Sequence, residues 1–145
     1  IDEALPAVSV DAASITEVIY ILLDNASKYA PVNTTIAVRV AREDERYVRI
    51  AVSDEGPGIP DVYRDRVFEK FFRVPARQSH DPHRTGIGLG LPIAKRLVET
   101  QGGRIWIETP ASGRGTAILM TLPAAAETEL RTQNVELRTE VQRTA

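Results

Sequence analysis

Three absences narrow what this chain of 145 residues can do: it has no cysteine, no excess of basic residues and no long apolar run. The lack of cysteine excludes disulfide frameworks and thiolate metal sites, and it permits a reducing cytoplasm. Lys and Arg total 18 against 20 for Asp and Glu, and the net charge of -2 argues against an electrostatic nucleic-acid binder. No apolar run approaches the roughly 20 residues of a membrane-spanning helix. We therefore predict no nucleic-acid partner, no membrane insertion of this segment, and a cytoplasmic location.

The composition indicates one domain followed by a polar tail. With 43% hydrophobic residues, the chain can form a single core. We place that domain at residues 1–123 and a polar, helical linker or tail at residues 124–145, which are rich in Ala, Glu, Thr and Arg. A partner-binding or coiled-coil role of the tail stays open. Because the chain starts at Ile1 without Met, we expect a longer parent protein, and membrane anchoring of that parent stays open too.

Hydrophobic periodicity predicts an α+β fold. After Asp11, a good N-cap residue, apolar residues recur at helical spacing until Pro31 ends the pattern. A short helix is predicted from Asp61 to about Phe68, and a third helix follows a glycine-rich stretch and stops at Gly102. Alternating apolar residues predict strands near 36–40, 48–52, 104–109 and 116–122. Residues 1–10 are interpreted as an entry strand or an extended arm. We expect a two-layer α/β sandwich, with about three helices on one face of a mixed, largely antiparallel sheet.

The stretch from Thr85 to Leu91 contains three alternate glycines directly before the third helix. Glycines at a helix start let backbone amides approach an anion, and the helix dipole adds positive potential there. The stretch is neither GxGxxG, because Leu91 stands at the last position, nor a Walker motif, because no GK[ST] follows. A phosphate cradle and a flexible loop capping a helix both remain open on this stretch alone.

Five motifs in order resemble the N, G1, F and two glycine boxes of sensor histidine kinases. They are Leu22–Tyr29 (LLDNASKY), Asp54–Gly58 (DEGPG), Phe68–Arg73 (FEKFFR), Gly86–Leu91 (GIGLGL) and Gly113–Thr116 (GRGT). The resemblance runs from about Leu5 to Pro123. It implies the ATP-binding catalytic domain of a two-component kinase. The implied fold, of the Bergerat type, is shared with DNA gyrase, MutL repair proteins and a family of heat-shock chaperones.

The resemblance implies a nucleotide site with Asp54 at the adenine. Its carboxylate would accept a hydrogen bond from the exocyclic amine of adenine and disfavour guanine, so ATP is expected over GTP. A turn-forming carboxylate is the alternative for Asp54. Gly56 and Gly58 would allow backbone close to the base, and Ile59 would pack on the ring or in the core.

The phosphate end is assigned to Asn25, Lys28 and Arg73. The Asn25 side-chain oxygen suits Mg²⁺, which prefers hard oxygen ligands and keeps several waters. Lys28 and Arg73 would contact phosphate, although a solvated helix face and a surface arginine are the alternatives. Tyr29 would contact ribose or base, whereas Asp24 is interpreted as solvated. Further nucleotide-binding positions implied by the resemblance are Gly86, Ile87, Gly88, Leu89, Gly90, Leu91 and Thr116.

The resemblance also implies a mobile ATP lid at residues 74–84, hinged at the glycines, with Phe68, Phe71 and Phe72 anchoring its base. Two departures from the family pattern matter. Ile21 stands where these kinases usually have a second asparagine, and neither His80 nor His83 has the helical setting of a phosphoacceptor. Both histidines are interpreted as solvated lid residues.

We expect an ATP- and Mg²⁺-dependent histidine kinase domain whose acceptor histidine lies on a dimerisation hairpin, upstream in the parent chain or in another protein. A response regulator receiver domain would be its downstream partner. A regulatory nucleotide-binding module with little transfer activity is the alternative, supported by Ile21. An anti-sigma-type serine kinase on the same fold is a third possibility.

Overall fold

The computed structural model describes residues 5–75 and 88–126. Within these ranges a four-stranded sheet is covered on one face by two α-helices and a segment of two short 3-10 helices. The strands are β1 (Ala37–Arg42), β2 (Tyr47–Asp54), β3 (Arg104–Glu108) and β4 (Thr116–Pro123). The helical segments are α1 (Ala12–Tyr29), the 3-10 turns Asp61–Tyr63 and Arg66–Phe68, and α2 (Gly90–Thr100). This arrangement confirms the predicted α+β two-layer sandwich.

Helix α1 begins and ends where its sequence predicts. The side chain of Asp11 accepts a hydrogen bond from the Ser14 amide at 3.0 Å, which satisfies one of the unpaired donors of the first turn. The helix ends at Tyr29, and Ala30 is already extended before Pro31. Its buried side chains, at three- and four-residue spacing, are Ile15, Val18, Leu22 and Ala26.

The sheet has the strand order β1-β2-β4-β3, and every pairing among these strands is antiparallel. The hairpin between β1 and β2 turns at Asp44, whose carboxylate accepts hydrogen bonds from the amides of Arg46 and Tyr47. Strand β4 lies in the centre and pairs Thr116 with Asp54 at the end of β2. Within the described residues of the predicted N-terminal arm, Val8 forms an antiparallel bridge with Ala124 just past β4. Ala125 donates to the carbonyl of Ala7 as well.

The short helix predicted from Asp61 to about Phe68 is present as two 3-10 helices and not as one continuous helix. Two 3-10 turns occupy this stretch, and they are separated at Arg64 and Asp65. Neither turn has a side-chain cap, and each buries few residues, so nothing in the segment favours a continuous α-helix. Val67 is nevertheless buried, which fixes the segment against α2.

Helix α2 ends in the left-handed glycine that the sequence predicts. Gly102 has φ +82°, and the Gly102 and Gly103 amides donate to carbonyls of the last helical turn. The buried face of α2, formed by Leu91, Ala94 and Val98, packs with α1 over the sheet. The inner faces of β2, β3 and β4 complete one core. In the described ranges no helix is long and apolar enough to cross a membrane.

Candidate functional site

The predicted phosphate residues lie around one cavity of about 270 Å³. We call it the α1–α2 cavity, because the end of α1 and the start of α2 form its opposite sides. Eight predicted site residues line it: Asn25, Lys28, Tyr29, Arg73, Gly88, Leu89, Gly90 and Leu91. They come from three separate motifs, so the fold brings together groups that are distant in sequence.

Lys28 is held at the wall of this cavity by an ion pair. Its ammonium lies 3.1 Å from the carboxylate of Asp24, and the two side chains are only 21% and 25% exposed. Residues four apart stack on one side of a helix, which explains the contact. The interpretation of Asp24 as a solvated residue is therefore wrong. Sequence reasoning missed this contact although the Asp-to-Lys spacing of four was visible.

Asn25 presents a polar atom without a partner. Its side-chain nitrogen is buried and finds no hydrogen-bond acceptor among residues 5–75 and 88–126. A buried amide donor without a partner destabilises the fold unless a ligand or water satisfies it. A phosphate oxygen in the α1–α2 cavity would supply that acceptor. The side-chain oxygen of the same amide is a hard ligand that suits Mg²⁺.

A full protein cage for a metal is absent from the part of the chain that the structure describes. No group of three or more His, Asp or Glu residues there lies close enough to hold one ion. A metal at Asn25 would therefore take its other ligands from phosphate and water, which is how Mg²⁺ commonly binds. The residues present fit a Mg²⁺–nucleotide complex better than a free metal ion. His80 and His83, interpreted above as lid residues, lie outside the described residues.

Aromatic residues of the FEKFFR motif fix one side of the α1–α2 cavity. Phe72 is half-buried, packs against Tyr63 with ring centroids 5.7 Å apart, and lies under the guanidinium of Arg66 at 4.4 Å. Phe68 packs on the core and has the Lys95 ammonium 5.5 Å from its ring centre. Both side chains pack on the body of the domain, and their predicted role in anchoring the base of the lid stays a prediction, because residues 76–84 lie outside the described residues. Arg73 follows them and is exposed at the cavity wall.

Phe71 is not an anchor in the predicted sense, because its side chain is 68% exposed. The backbone of Phe71 is constrained instead, because its amide donates a hydrogen bond to the carbonyl of Gly88 at 2.9 Å. Phe71 has a left-handed φ of 65°, which is unusual for a bulky residue. This bond joins the chain before residue 76 to the chain after residue 87.

The described half of the glycine stretch is tightly constrained. Gly88 has φ +76°, and a Cβ there would meet backbone atoms of Phe71 at 3.0 Å. A Cβ on Gly90 would lie 3.3 Å from Cγ2 of Ile21. Ile21 is thus an apolar wall of the cavity that touches the start of α2. Gly86 and Ile87, like most of the predicted lid, lie outside the described residues.

Asp54 is buried at the end of β2, with 4% of its surface exposed. Its Oδ1 accepts a hydrogen bond from the Gly56 amide at 2.8 Å, which is the turn-forming contact that the sequence left open. A Cβ on Gly56 would lie 2.7 Å from the Tyr29 carbonyl oxygen. The turn after Asp54 therefore packs directly on the end of α1.

The last glycine motif packs on the backbone of Asp54. Gly115 has φ +92°, and a Cβ there would lie 1.8 Å from the Asp54 carbonyl oxygen. Only glycine fits at this contact. The next residue, Thr116, is 1% exposed, and its hydroxyl has no hydrogen-bond partner among the described residues. Asp54, the last residue of β2, and Thr116, the first residue of β4, are thus two buried polar residues that lie opposite each other in the sheet.

A second cavity of about 760 Å³ is lined by residues of the DEGPG turn. Gly56, Gly58 and Ile59 line it, and Ile59 belongs to the core as well. It shares no lining residue with the α1–α2 cavity, and Asp54 and Thr116 line neither. The predicted phosphate-binding residues Asn25, Lys28 and Arg73 line the smaller cavity and not this larger one. Arg64 and Arg114, which line the larger one, were not among the predicted site residues.

Comparison with known proteins identifies the family of this domain. A family model described as histidine kinase-, DNA gyrase B-, and HSP90-like ATPase matches residues 10–126. The chain belongs to this ATPase family. Adaptive-response sensory kinase SasA of Synechococcus sp. (strain JA-3-3Ab) is 38% identical over 119 residues, which are 82% of this chain and 30% of that protein. The chain thus spans less than a third of that relative.

Solved structures of histidine kinases share the fold of this ATPase domain. The mycobacterial sensor histidine kinase MprB is 35% identical, with a TM-score of 0.68, over 79% of this chain and 72% of that chain. Full-length ShkA in complex with AMPPNP is 27% identical, with a TM-score of 0.69, over 84% of this chain and 24% of that chain. The kinase relatives confirm the family inferred from the five motifs.

Proposed function

We propose that this ATPase domain binds ATP with Mg²⁺ and presents the γ-phosphate to a histidine on a separate dimerisation hairpin. The observation that carries the proposal is the α1–α2 cavity, where an unpartnered buried Asn25 amide, Lys28, Arg73 and the Gly88 turn meet. The AMPPNP complex of a relative with the same fold supports a nucleotide as the ligand.

The proposed base end is the buried pair Asp54 and Thr116. The carboxylate of Asp54 accepts from the adenine amine, and the Thr116 hydroxyl gains a partner when the base is bound. Gly56, Gly58 and Ile59 shape the turn beside the base, and Tyr29 contacts the ribose or the base. Guanine presents a carbonyl oxygen where adenine has its amine, so a fixed carboxylate disfavours it. ATP is therefore preferred over GTP.

The proposed phosphate end is the α1–α2 cavity. Lys28 and Arg73 neutralise phosphate charge, and backbone amides near Gly88 and Gly90, which line the cavity at the start of α2, would donate to the anion. Leu89 and Leu91 line the same cavity, and Gly86 and Ile87, which lie outside the described residues, remain nucleotide-binding positions implied by the motif. Asn25 would hold Mg²⁺, which supplies charge neutralisation to the phosphates. Because phosphoryl transfer depends mainly on positioning and charge neutralisation, this set is sufficient for the role of the domain.

The acceptor histidine and the receiver domain of a response regulator are the proposed partners. The kinase relatives support them, since SasA and MprB are both sensory kinases by name. We place the reaction in the cytoplasm, where ATP is available, and assign residues 1–123 to the catalytic domain and 124–145 to a linker or tail.

Ile21 favours one alternative: a nucleotide-binding module with little transfer activity. It is a half-buried apolar side chain in the α1–α2 cavity, one helical turn before Asn25, and it packs against the core. It cannot hydrogen-bond to water, phosphate or metal. Binding can persist without such a group, whereas transfer depends on exact positioning.

A fusion of this chain to a helical hairpin with an acceptor histidine tests the proposal. Radiolabelled ATP and Mg²⁺ are expected to label the hairpin histidine through an acid-labile bond, and Lys28→Met is expected to reduce the rate. A matched fusion with the histidine replaced by glutamine is the control. Nucleotide binding without labelling would favour the module without transfer, and absence of both would contradict the proposal.

A further inference from the structure

The ion pair between Asp24 and Lys28 creates a conflict in the proposed phosphate site. Both residues line the α1–α2 cavity, and both side chains are about three-quarters covered. Among the described residues lining this cavity, the charged groups are Asp24, Lys28 and Arg73. Asp24 therefore cancels one of the two positive charges and places a negative charge where an anion is to bind.

We propose that Asp24 is a positioning residue that restrains Lys28 and sets an electrostatic threshold for the ligand, an inference that rests on the proposed ATP-binding function. Without nucleotide, Asp24 holds the Lys28 ammonium at the cavity wall. A ligand with several phosphate charges competes for that ammonium and draws it from the carboxylate. A ligand with one phosphate group lacks the charge to do so. The pair therefore lowers the affinity for a triphosphate by the cost of separating Asp24 from Lys28, and it leaves the affinity for a monophosphate nearly unchanged.

The geometry allows the Lys28 ammonium to leave the Asp24 carboxylate and contact a ligand phosphate. An ion pair with partial solvent access stabilises by up to about 1 kcal/mol, equivalent to roughly a fivefold change in an equilibrium constant. Several phosphate charges close to an ammonium in a partly covered cavity outweigh one carboxylate, because the Coulomb energy grows with each charge. The Lys28 stem is packed in the wall, so its head group stays near the cavity when the carboxylate charge is removed.

The test compares Asp24→Asn with wild type in the full 145-residue chain. Asparagine keeps an oxygen that can accept from Lys28 but removes the charge. Glu17→Gln is the matched control, because Glu17 is an exposed acid on the same helix outside the α1–α2 cavity. Affinities for ATP and for AMP with Mg²⁺ are measured by calorimetry, and melting temperatures are recorded for each variant.

Asp24→Asn is expected to bind ATP about fivefold more tightly and AMP with less than a twofold change. Glu17→Gln is expected to change neither by more than twofold. In a Lys28→Met background, the gain from Asp24→Asn should disappear, because Asp24 acts through Lys28. A merely structural role of Asp24 would alter melting temperature without this dependence on ligand charge and on Lys28.

Three outcomes overturn the inference: unchanged or weaker ATP affinity in Asp24→Asn, an equal gain for AMP, or the same gain when Lys28 is methionine. If wild type binds ATP and one of these occurs, only the role of Asp24 is wrong. If neither wild type nor Asp24→Asn binds ATP, the proposed function is wrong together with this inference.

Discussion

Replacing Gly115 by alanine tests whether the last glycine motif supports Asp54. The new Cβ would lie 1.8 Å from the Asp54 carbonyl oxygen and 2.9 Å from Cα of Glu55. Both neighbours are backbone atoms, so relief requires the β2–β4 pairing to open at Asp54 and Thr116. The left-handed φ of 92° destabilises the folded state by about a further 1–2 kcal/mol for any residue with a Cβ. We expect a total loss of about 3–4 kcal/mol, which is a large part of a typical domain stability.

Gly113→Ala is the matched control, because Gly113 has φ +77° but no heavy atom within 4 Å of its Cβ position. It should lose only the backbone contribution of about 1–2 kcal/mol. Urea unfolding of both variants measures the difference between their free energies of unfolding. ATP titration shows whether Gly115→Ala also loses nucleotide affinity through displacement of Asp54. Equal destabilisation by the two substitutions would refute the argument that close contact, and not φ alone, requires glycine at 115.

Three further predictions concern the core, the helix cap and Ile21. Leu22→Ala should lower the free energy of unfolding in urea by about 2–5 kcal/mol, because Leu22 is fully buried. Val32→Ala, at an 82% exposed site, is the control and should change it by no more than about 0.5 kcal/mol. Similar losses in the two variants would contradict the assigned core. Hydrogen bonds from the Ser14 hydroxyl and amide lower the pKa of Asp11 below its ordinary 3.8, so the charged cap stabilises above that value. The melting-temperature difference between wild type and Asp11→Ala should therefore be full near neutral pH and shrink as the pH falls through the lowered pKa; a constant difference argues against the cap. Ile21→Asn should raise phosphotransfer in the hairpin fusion with ATP affinity little changed, and an unchanged rate would show that Ile21 does not limit transfer.

Patterns local in sequence were sufficient for most of the fold. The apolar spacing and the cap at Asp11 predicted α1, and Gly102 predicted the end of α2, because caps and periodicity are decided within a few residues. The stretch after Asp61 was predicted as one short helix and forms two 3-10 helices, since a short stretch with little to bury has no strong local preference for a continuous helix.

The site was predictable as a set of residue types but not as a geometry. The motifs identified Asn25, Lys28 and Arg73, and the fold places them around one cavity. The amide of Phe71 bonds to the carbonyl of Gly88, seventeen residues later, and no local pattern encodes this contact. Likewise, glycine at 115 was recognisable as part of a motif, but its contact with Asp54 depends on strand register.

The central claim is that Asp54 binds the adenine of ATP, and ATP-induced thermal stabilisation tests it most directly. At a hundredfold excess over the dissociation constant, ATP should stabilise wild type by about 2.7 kcal/mol, equivalent to a melting-temperature rise of about 10 °C. Asp54→Asn keeps an oxygen for the Gly56 amide but loses the charge, and Asp44→Asn makes the same change at a turn remote from the site. We predict that Asp44→Asn retains the full rise and Asp54→Asn loses it. A full rise in Asp54→Asn would contradict the assignment.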